Sequence, residues 1–346
     1  MGKKNTTAKK SILKVRQKRK EIPSEEKLVH GILNGDRALL ARGITLVEST
    51  RPEDFGKARK VINQCLAHSA DSIRIGITGV PGVGKSTFIE AFGKFLIAQG
   101  KKVAILAIDP TSTVSKGSIL GDKTRMNELV KNPMAFIRPS PSSEALGGVA
   151  RKSRETMILC EAAGFDVILI ETVGVGQSES TVHSMVDFFL LLQLTGAGDE
   201  LQGIKRGIIE MADALVINKA DGTNVKSAEK AKAEFNRALH HYPPKQNGWI
   251  PKVMTSSALE ETGIPEIWEM INEYIDHSKK TGFFTENRRQ QNRSWFLQTI
   301  EARLKQHFYN DTRVKKHLAR LLQEVTDAKV SPFDAAETLL QTFEKQ

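Results

Sequence analysis

The sequence contains very little cysteine: only Cys65 and Cys160 occur among its 346 residues. Two cysteines so far apart support neither a disulfide framework nor a cysteine metal cluster, and their apolar surroundings predict buried free thiols. No apolar run approaches the roughly 18 residues that span a bilayer, and the first residues lack the apolar core of a secretory signal. These shortages exclude a disulfide-rich secreted protein and a membrane-spanning one, and they predict a cytoplasmic location.

Acidic residues are missing from the first 20 positions, which carry nine of the lysines and arginines. Most of the +11 formal charge therefore belongs to this tail, and we expect no nucleic-acid partner for the rest of the chain. Uniform charge and few apolar residues predict a disordered segment over residues 1–22. A targeting or polyanion-binding arm is the alternative, and a transit peptide would place the protein in the mitochondrial matrix.

A glycine-rich turn between a short apolar run and a helical pattern is the most informative stretch of the chain. The run 73–80 suits a buried strand, and apolar residues recur at helical spacing from Thr87 onward. Between them, GVPGVGKST fits the phosphate-binding loop, in which backbone N–H groups surround the phosphates. Lys85 is expected to reach the β- and γ-phosphates and Ser86 to hold Mg²⁺. The predicted phosphate-binding residues are Gly79, Val80, Pro81, Gly82, Val83, Gly84, Lys85, Ser86 and Thr87.

Two acidic residues directly follow further predicted strands. Asp109 comes directly after the apolar run 102–108. Glu171 comes directly after the run 165–170, with Gly174 three residues further on. Ligands of open α/β sheets lie at the carboxyl ends of the strands, so both carboxylates are candidates for the metal region, and the Gly174 N–H for the γ-phosphate. A purely structural role for Glu171 stays open.

A guanine-reading segment is predicted after the strand 213–217, where the chain reads Asn-Lys-Ala-Asp. The Asp221 carboxylate can accept from both N–H donors of a guanine edge, a donor pair that adenine lacks, and Asn218 and Lys219 complete the pattern. After the strand 251–256, Ser257, Ala258 and Leu259 are expected to support the base through their backbone. Alone, this pattern is weak evidence for guanine binding, because such tetrapeptides arise by chance. It becomes strong evidence where it follows a phosphate loop and an acidic residue in the right order.

Alternation of strands and helices predicts the α/β class, as a P-loop NTPase whose mainly parallel sheet carries helices on both faces. Helical spacing before and after this region predicts N-terminal and C-terminal helical extensions. The predicted boundaries are a tail at 1–22, an N-terminal extension at 23–70, a nucleotide-binding domain at 71–280 and a C-terminal helical region at 281–346. The C-terminal helices would cover either a second subunit or the core of the monomer.

Six blocks together resemble one family, the MeaB/ArgK/MMAA GTPases, which are chaperones of adenosylcobalamin-dependent methylmalonyl-CoA mutase. The blocks are GVPGVGKST, AIDPTST, GDKTRM, ETVGVGQSE, TGAGDELQGIKRG and NKAD. The resemblance implies a homodimer that hydrolyses GTP to GDP with Mg²⁺ and gates cofactor delivery to the mutase. It implies metal and switch roles for Asp109, Asp122 and Glu171, a switch role for Arg125, and a mutase-sensing switch at 195–207 with Asp199, Gln202 and Lys205. Lys85, Glu171 and Lys205 are thereby the candidate catalytic residues.

No general base is evident in the sequence, so slow intrinsic hydrolysis that a partner stimulates is expected. Three alternatives stay open: a nickel-insertion GTPase, which would want a His-rich or Cys-bearing tract, a GTPase or kinase linked to amino-acid transport, and a scaffold that only binds nucleotide.

Overall fold

The structure is a computed structural model that describes residues 23–69, 71–108, 126–139, 146–172, 178–196 and 206–344. The predicted tail 1–22 therefore lies outside the described residues. The chain divides into two compact units, Met1–Arg288 and Arg289–Gln346. The domain boundaries drawn from the sequence stay predictions.

Seven strands form one parallel sheet, as the sequence pattern predicted. They are β1 (Ile73–Gly79), β2 (Val103–Ile108), β3 (Ala135–Arg138), β4 (Val167–Thr172), β5 (Phe188–Gln193), β6 (Ala214–Ile217) and β7 (Lys252–Thr255). Their order across the sheet is β3-β2-β4-β1-β5-β6-β7, and every pairing is parallel. All seven carboxyl ends consequently lie at one edge of the sheet, with β1 near its middle.

Helices precede, cover and follow this sheet. In the first unit they are α1 (Glu25–Leu33), α2 (Arg37–Val47), α3 (Pro52–Leu66), α4 (Lys85–Ala98), α5 (Leu146–Ala162), α6 (Ser178–His183), α7 (Arg206–Met211), α8 (Val225–Leu239) and α9 (Ile264–Lys280). Local chemistry sets where several begin: the Ser24 and Asp36 side chains accept from N–H groups of α1 and α2, and Pro52 opens α3. The short helices α6 and α7 had no predicted counterpart.

The core occupies both faces of the sheet. On one face, Phe88 and Phe92 of α4 and Ile267 and Ile271 of α9 pack with inward side chains of β1, β4 and β5. On the other, Ile209 of α7 and Phe235 of α8 pack against β5, β6 and β7. Cys65 and Cys160 are buried and free, which confirms the prediction for both thiols. The two-sided burial explains why the central strands are apolar along their whole length.

The C-terminal region is helical, as predicted, and comprises α10 (Phe283–Asn310), α11 (Thr312–Thr326) and α12 (Pro332–Glu344). In the second unit, α11 and α12 share a small core of Val314, Leu321, Ala335 and Leu339. The Asp311 side chain caps α11 by accepting from the Arg313 and Val314 N–H groups. No described helix has the length and apolarity needed to cross a membrane.

Candidate nucleotide-binding site

The loop that joins β1 to α4 has a backbone path that requires glycine at both ends. Gly79 has a φ of 154°, and a Cβ there would lie 2.5 Å from the Leu192 carbonyl oxygen. Gly84 is left-handed at 94°, and a Cβ there would lie 2.9 Å from the Asn218 amide nitrogen. No side chain caps α4, so the N–H groups of its first turn point toward the loop, where an anion is favoured.

Lys85 is the first residue of α4 and directs its ammonium back over the loop. Its Nζ donates to the Gly79 carbonyl oxygen at 2.8 Å and to the Val80 carbonyl oxygen at 3.3 Å. These bonds hold the positive charge at the concave side of the turn. A phosphate within the loop would therefore meet the ammonium and the backbone N–H groups together.

Ser86 and Glu171 meet beside this loop. The Ser86 hydroxyl donates to Glu171 Oε1 at 3.2 Å, and both residues are buried, each 8% exposed. A hydroxyl and a carboxylate are hard oxygen donors of the kind that Mg²⁺ prefers, usually with water completing its shell. This pair therefore fits a magnesium ion, with Glu171 either a direct ligand or a partner of a metal-bound water.

Asn218 joins three segments of the site rather than facing solvent. Its Nδ2 donates to the Val83 carbonyl oxygen of the phosphate loop at 2.8 Å, and its Oδ1 accepts from the Ala258 N–H at 3.4 Å. The residue is 1% exposed. Its amide thus ties the phosphate loop to the segments that follow β6 and β7.

Asp221 has its carboxylate oriented by Ser257. The Ser257 hydroxyl donates to Asp221 Oδ2 at 2.6 Å and accepts from the Glu260 N–H at 3.1 Å. The Asp221 backbone carbonyl oxygen also accepts from the Asn224 N–H at 2.9 Å, and the residue is only partly buried. Leu259 is 80% exposed beside it. The sequence predicted backbone support from 257–259, and it missed that the Ser257 side chain orients the acid.

The sequence also missed Gly263, which shapes this last segment. Its φ is 76°, and a Cβ there would lie 2.4 Å from the Thr255 carbonyl oxygen, so the chain can turn beneath β7 only with glycine. A Gly-Ile-Pro sequence just before a helix was the available signal, since glycine often marks such left-handed positions.

The structure brings together most of the predicted site. Residues of the phosphate loop, Glu171, Asn218, Lys219, Asp221 and Ser257 to Leu259 all lie at the carboxyl edge of the sheet. Asp109, Asp122, Arg125, Gly174, Asp199, Gln202 and Lys205 lie outside the described residues, as does most of the loop 195–207. The adjacent histidines His240 and His241, the side chains that most resemble a metal-binding pair, are exposed. The described residues contain no group of three His, Cys, Asp or Glu side chains that could hold a metal ion.

The parallel sheet, the loop with its lysine, and the Asn-Lys-Ala-Asp segment at the same edge define the class of P-loop GTPases. The family model described as "Methylmalonyl Co-A mutase-associated GTPase MeaB" matches residues 40–313. The chain belongs to this family.

Curated relatives agree over nearly the whole chain. A probable GTPase of Mycobacterium tuberculosis is 48% identical over 314 residues, which are 91% of this chain and 94% of the relative. The GTPase ArgK of Escherichia coli is 43% identical, covering 92% of this chain and 96% of that protein. The mouse protein named methylmalonic aciduria type A homolog, mitochondrial, is 43% identical, and the match covers 93% of this chain and 80% of that protein. These names confirm that the chain is a GTPase.

A solved structure shares the fold at this level of similarity. A crystal structure described as a LAO/AO transport system kinase superposes with a TM-score of 0.72 at 37% identity, covering 93% of this chain and 98% of that chain. The predicted P-loop fold with helical additions is thereby confirmed.

Proposed function

We propose that this GTPase acts as a chaperone of an adenosylcobalamin-dependent acyl-CoA mutase of the methylmalonyl-CoA mutase type. The observation that carries the proposal is a phosphate loop and a base-reading segment at the carboxyl edge of the sheet, in a chain whose family is described by its association with that mutase. The name of the mouse relative points to the same metabolism. GTP hydrolysis would gate delivery of the cofactor and protect the mutase, in the cytoplasm of a bacterial-type cell.

The phosphate side of the site supplies charge and position. Lys85 and the backbone N–H groups of the loop would stabilise charge that develops on the β- and γ-phosphates. Mg²⁺, held by Ser86 and Glu171, would neutralise the phosphate oxygens when bound. Glu171 and Ser86 hold each other in place, so the donor set is arranged before nucleotide arrives.

The base side would select guanine through Asp221. The carboxylate is fixed by Ser257 and is partly accessible, so it can accept from the guanine edge. Asn218 and Ala258 would support the base through the bonds that they make with each other and with the phosphate loop. Asn218 acts here as a brace, and the specificity rests on Asp221.

The switch roles rest on the family resemblance alone, because their residues lie outside the described ranges. Asp109 and Asp122 would serve the metal region, Gly174 the γ-phosphate, and Arg125 a switch. Asp199, Gln202 and Lys205 would form the switch that senses the mutase, with Lys205 acting in stimulated hydrolysis.

A homodimer is part of the same proposal. In α10 the exposed apolar side chains Phe296, Ile300 and Leu304 recur at intervals of four residues, with exposed fractions of 64%, 40% and 62%. Such a stripe on one helical face is typical of a subunit contact. Light scattering of the full chain and of a chain ending at residue 288, which keeps the Arg288 pair with Asp187, checks this: we expect a dimer and a GTP-binding monomer. A full chain that is monomeric at micromolar concentration would contradict it.

The decisive experiment measures GTP turnover with and without an adenosylcobalamin-dependent methylmalonyl-CoA mutase. We expect the mutase to raise turnover, and Lys205→Ala or Asp199→Ala to remove most of the rise while GTP affinity and intrinsic turnover stay within a few-fold. Lys226→Ala, on the exposed side of α8, is the matched control. If the mutase leaves turnover unchanged, the chaperone role is wrong and only the GTPase stands.

One other function has a specific observation behind it, the description of the 37% identical structure as a transport system kinase. A kinase would move the γ-phosphate to a protein or small molecule, whereas a GTPase releases it as inorganic phosphate. Radiolabelled γ-phosphate distinguishes them: we expect the label in inorganic phosphate. The nickel-insertion alternative is tested separately, by the growth in limiting nickel of cells that lack this protein. We expect no growth defect that added nickel corrects.

A further inference from the structure

Asn224 lies between the base-reading segment and Thr195, two residues beyond the end of β5. Its Nδ2 donates to the Lys219 carbonyl oxygen at 2.6 Å, and its Oδ1 accepts from the Thr195 hydroxyl at 2.9 Å. The chemistry of the partners fixes the orientation of the amide. A carbonyl oxygen can only accept, so the NH₂ group must face Lys219, and the oxygen is left to face the hydroxyl.

The position of Asn224 in the chain makes these contacts unexpected. It is the N-cap residue of α8, where asparagine ordinarily accepts from the first N–H groups of the helix. Here the side chain makes no such bond. Asn224 ends the 3₁₀ turn Gly222–Asn224 with right-handed helical dihedral angles, and its amide bonds to the base-reading segment instead.

Lys219 is the residue that gains from this arrangement. It has a φ of 59°, one of three described non-glycine residues with positive φ, and such a conformation costs free energy unless neighbouring contacts hold it. It also stands between Asn218, the brace of the site, and Asp221, the proposed guanine reader. A change in its backbone would therefore move the Asp221 carboxylate.

The end of β5 holds the same segment at a second point. The Asn218 N–H donates to the Gln193 carbonyl oxygen at 2.8 Å. Gln193 thus holds Asn218 directly, and Thr195 holds Lys219 through Asn224. Two consecutive residues after β6, Asn218 and Lys219, are therefore attached to the end of β5 and the residues just beyond it.

We propose that Asn224 is a positioning residue for guanine specificity, which holds the strained Lys219 backbone and fixes it to Thr195. The inference rests on the proposed role of Asp221 as the base reader. Asn224 would act through its bond to the Lys219 carbonyl oxygen and not through a contact of its own with the nucleotide. Guanine recognition and the placement of Thr195 are consequently linked through one side chain.

Asn224→Asp separates this role from ordinary helix capping. Aspartate caps a helix about as well as asparagine, so a capping role would survive the change. A carboxylate cannot donate to the Lys219 carbonyl and repels it, so the positioning role would be lost. Asn224→Ala removes the donor and the acceptor together, and Thr195→Val removes only the bond from the Thr195 hydroxyl while keeping the shape of the side chain.

The test measures the affinity of the full chain for GDP and for IDP by equilibrium titration against a fluorescent GDP analogue. IDP lacks the 2-amino group of guanine, so the GDP-to-IDP affinity ratio reports the contact with Asp221. We expect Asn224→Asp to weaken GDP about three- to tenfold, as for loss of one hydrogen bond, and to reduce the ratio. Thr195→Val should show a smaller change of the same kind. The control Thr223→Ala, at an exposed neighbour, should behave as the natural protein does.

The outcomes separate the two proposals. If Asn224→Asp and Thr195→Val both keep the natural GDP affinity and ratio, the positioning role is wrong while Asp221 can still read guanine. If the natural protein shows no preference for GDP over IDP, or if Asp221→Asn leaves the ratio unchanged, the base-reading proposal fails and this inference fails with it. Thermal unfolding of each variant identifies a general folding defect, and Thr195→Val alone decides the matter should Asn224→Asp not fold.

Discussion

At the amino end of the sheet, buried charges are matched in pairs, whereas at the carboxyl end the polar side chains bond mainly to backbone and hydroxyl groups. Arg74 and Glu161 form a bidentate pair at 2.7 and 2.9 Å, and Arg288 contacts both oxygens of Asp187 at 2.8 and 2.7 Å. Beside the nucleotide site, Lys85 donates to two carbonyl oxygens of the phosphate loop. The two arginine pairs fix charge inside the protein, whereas the bonds from Lys85 hold its ammonium against the loop that would receive a phosphate.

The pKa shifts at the amino end have the same origin. Burial alone would raise the pKa of Glu161, but the hydrogen bonds and charge of Arg74, the hydroxyl of Ser72 and the charge of Arg288 together hold the pKa below its usual value. Burial would likewise lower the pKa of Arg288, but the hydrogen bonds and charge of Asp187 and the charges of Glu161 and Asp71 together raise it. The paired charges stay ionised inside the protein, which makes them structural groups.

The largest expected effect comes from breaking a pair at the amino end. Arg288→Met keeps the aliphatic stem and leaves the Asp187 carboxylate, 1% exposed, without its counter-ion. Loss of one partner of a buried pair costs about 3–5 kcal/mol, so we expect a lower free energy of unfolding by urea titration.

The comparison of the two ends predicts that loss of this ion pair lowers stability without changing the affinity of the nucleotide site. Folded Arg288→Met should bind GDP within about threefold of the natural protein. Arg293→Met, at an exposed position of α10, is the matched control for stability. A variant that keeps its stability but loses GDP affinity would reverse the assignment of the two ends.

The second effect is on catalysis at the carboxyl end. Lys85→Ala removes the ammonium that would stabilise charge on the phosphates, and loss of one such contact typically costs about 10²–10³-fold in turnover. We expect a smaller change in its free energy of unfolding than in that of Arg288→Met, since the bonds lost here include those to the Gly79 and Val80 carbonyl oxygens. Steady-state GTP turnover and urea unfolding together check this.

Lys94→Ala provides the control on the same helix. Lys94 is part of an exposed ion-pair cluster with Glu128 and Glu261, and such surface pairs contribute little to stability. We expect natural turnover. Equal losses in Lys85→Ala and Lys94→Ala would mean that the helix, rather than the phosphate contact, is what the enzyme needs.

These two ends also differ in how far the sequence could predict them. Motif spacing predicted the carboxyl end because Lys85, Glu171 and Asp221 each follow a recognisable strand. Arg288 reaches the Ser72 carbonyl oxygen across 216 residues of chain, and no local pattern marks such a contact. Asn224 belongs to none of the motifs in the sequence, and its two side-chain partners lie 5 and 29 residues away along the chain. Tertiary contacts decided both cases.

A third prediction concerns the base. Asp221→Asn replaces one acceptor of the guanine donor pair with an amide, and loss of a charged hydrogen bond costs roughly 1.5–3 kcal/mol. We expect at least tenfold weaker GTP binding and a gain for xanthosine triphosphate, whose 2-oxo group accepts from the new amide. Asp276→Asn, exposed on α9, is the control. Competition titrations check this, and natural-protein affinity for ATP equal to that for GTP would contradict the base assignment.

The smallest effect lies again at the amino end, where Asp213 precedes β6. Burial raises the pKa of Asp213 to about 6, although Lys245 and a hydrogen bond from the Phe189 N–H oppose the shift. The folded protein therefore binds this proton more tightly than the unfolded chain, whose carboxyl titrates near its ordinary value, so the contribution to stability is present at low pH and is lost as pH rises through about 6. Between pH 5 and pH 7 the loss amounts to about 1 kcal/mol. Asp213→Asn keeps the acceptor for Phe189 and should remove this part of the pH dependence in urea titrations. An unchanged slope in the variant would assign the pH dependence to another group, and the ionised Asp213 would then belong with the matched charges of that edge.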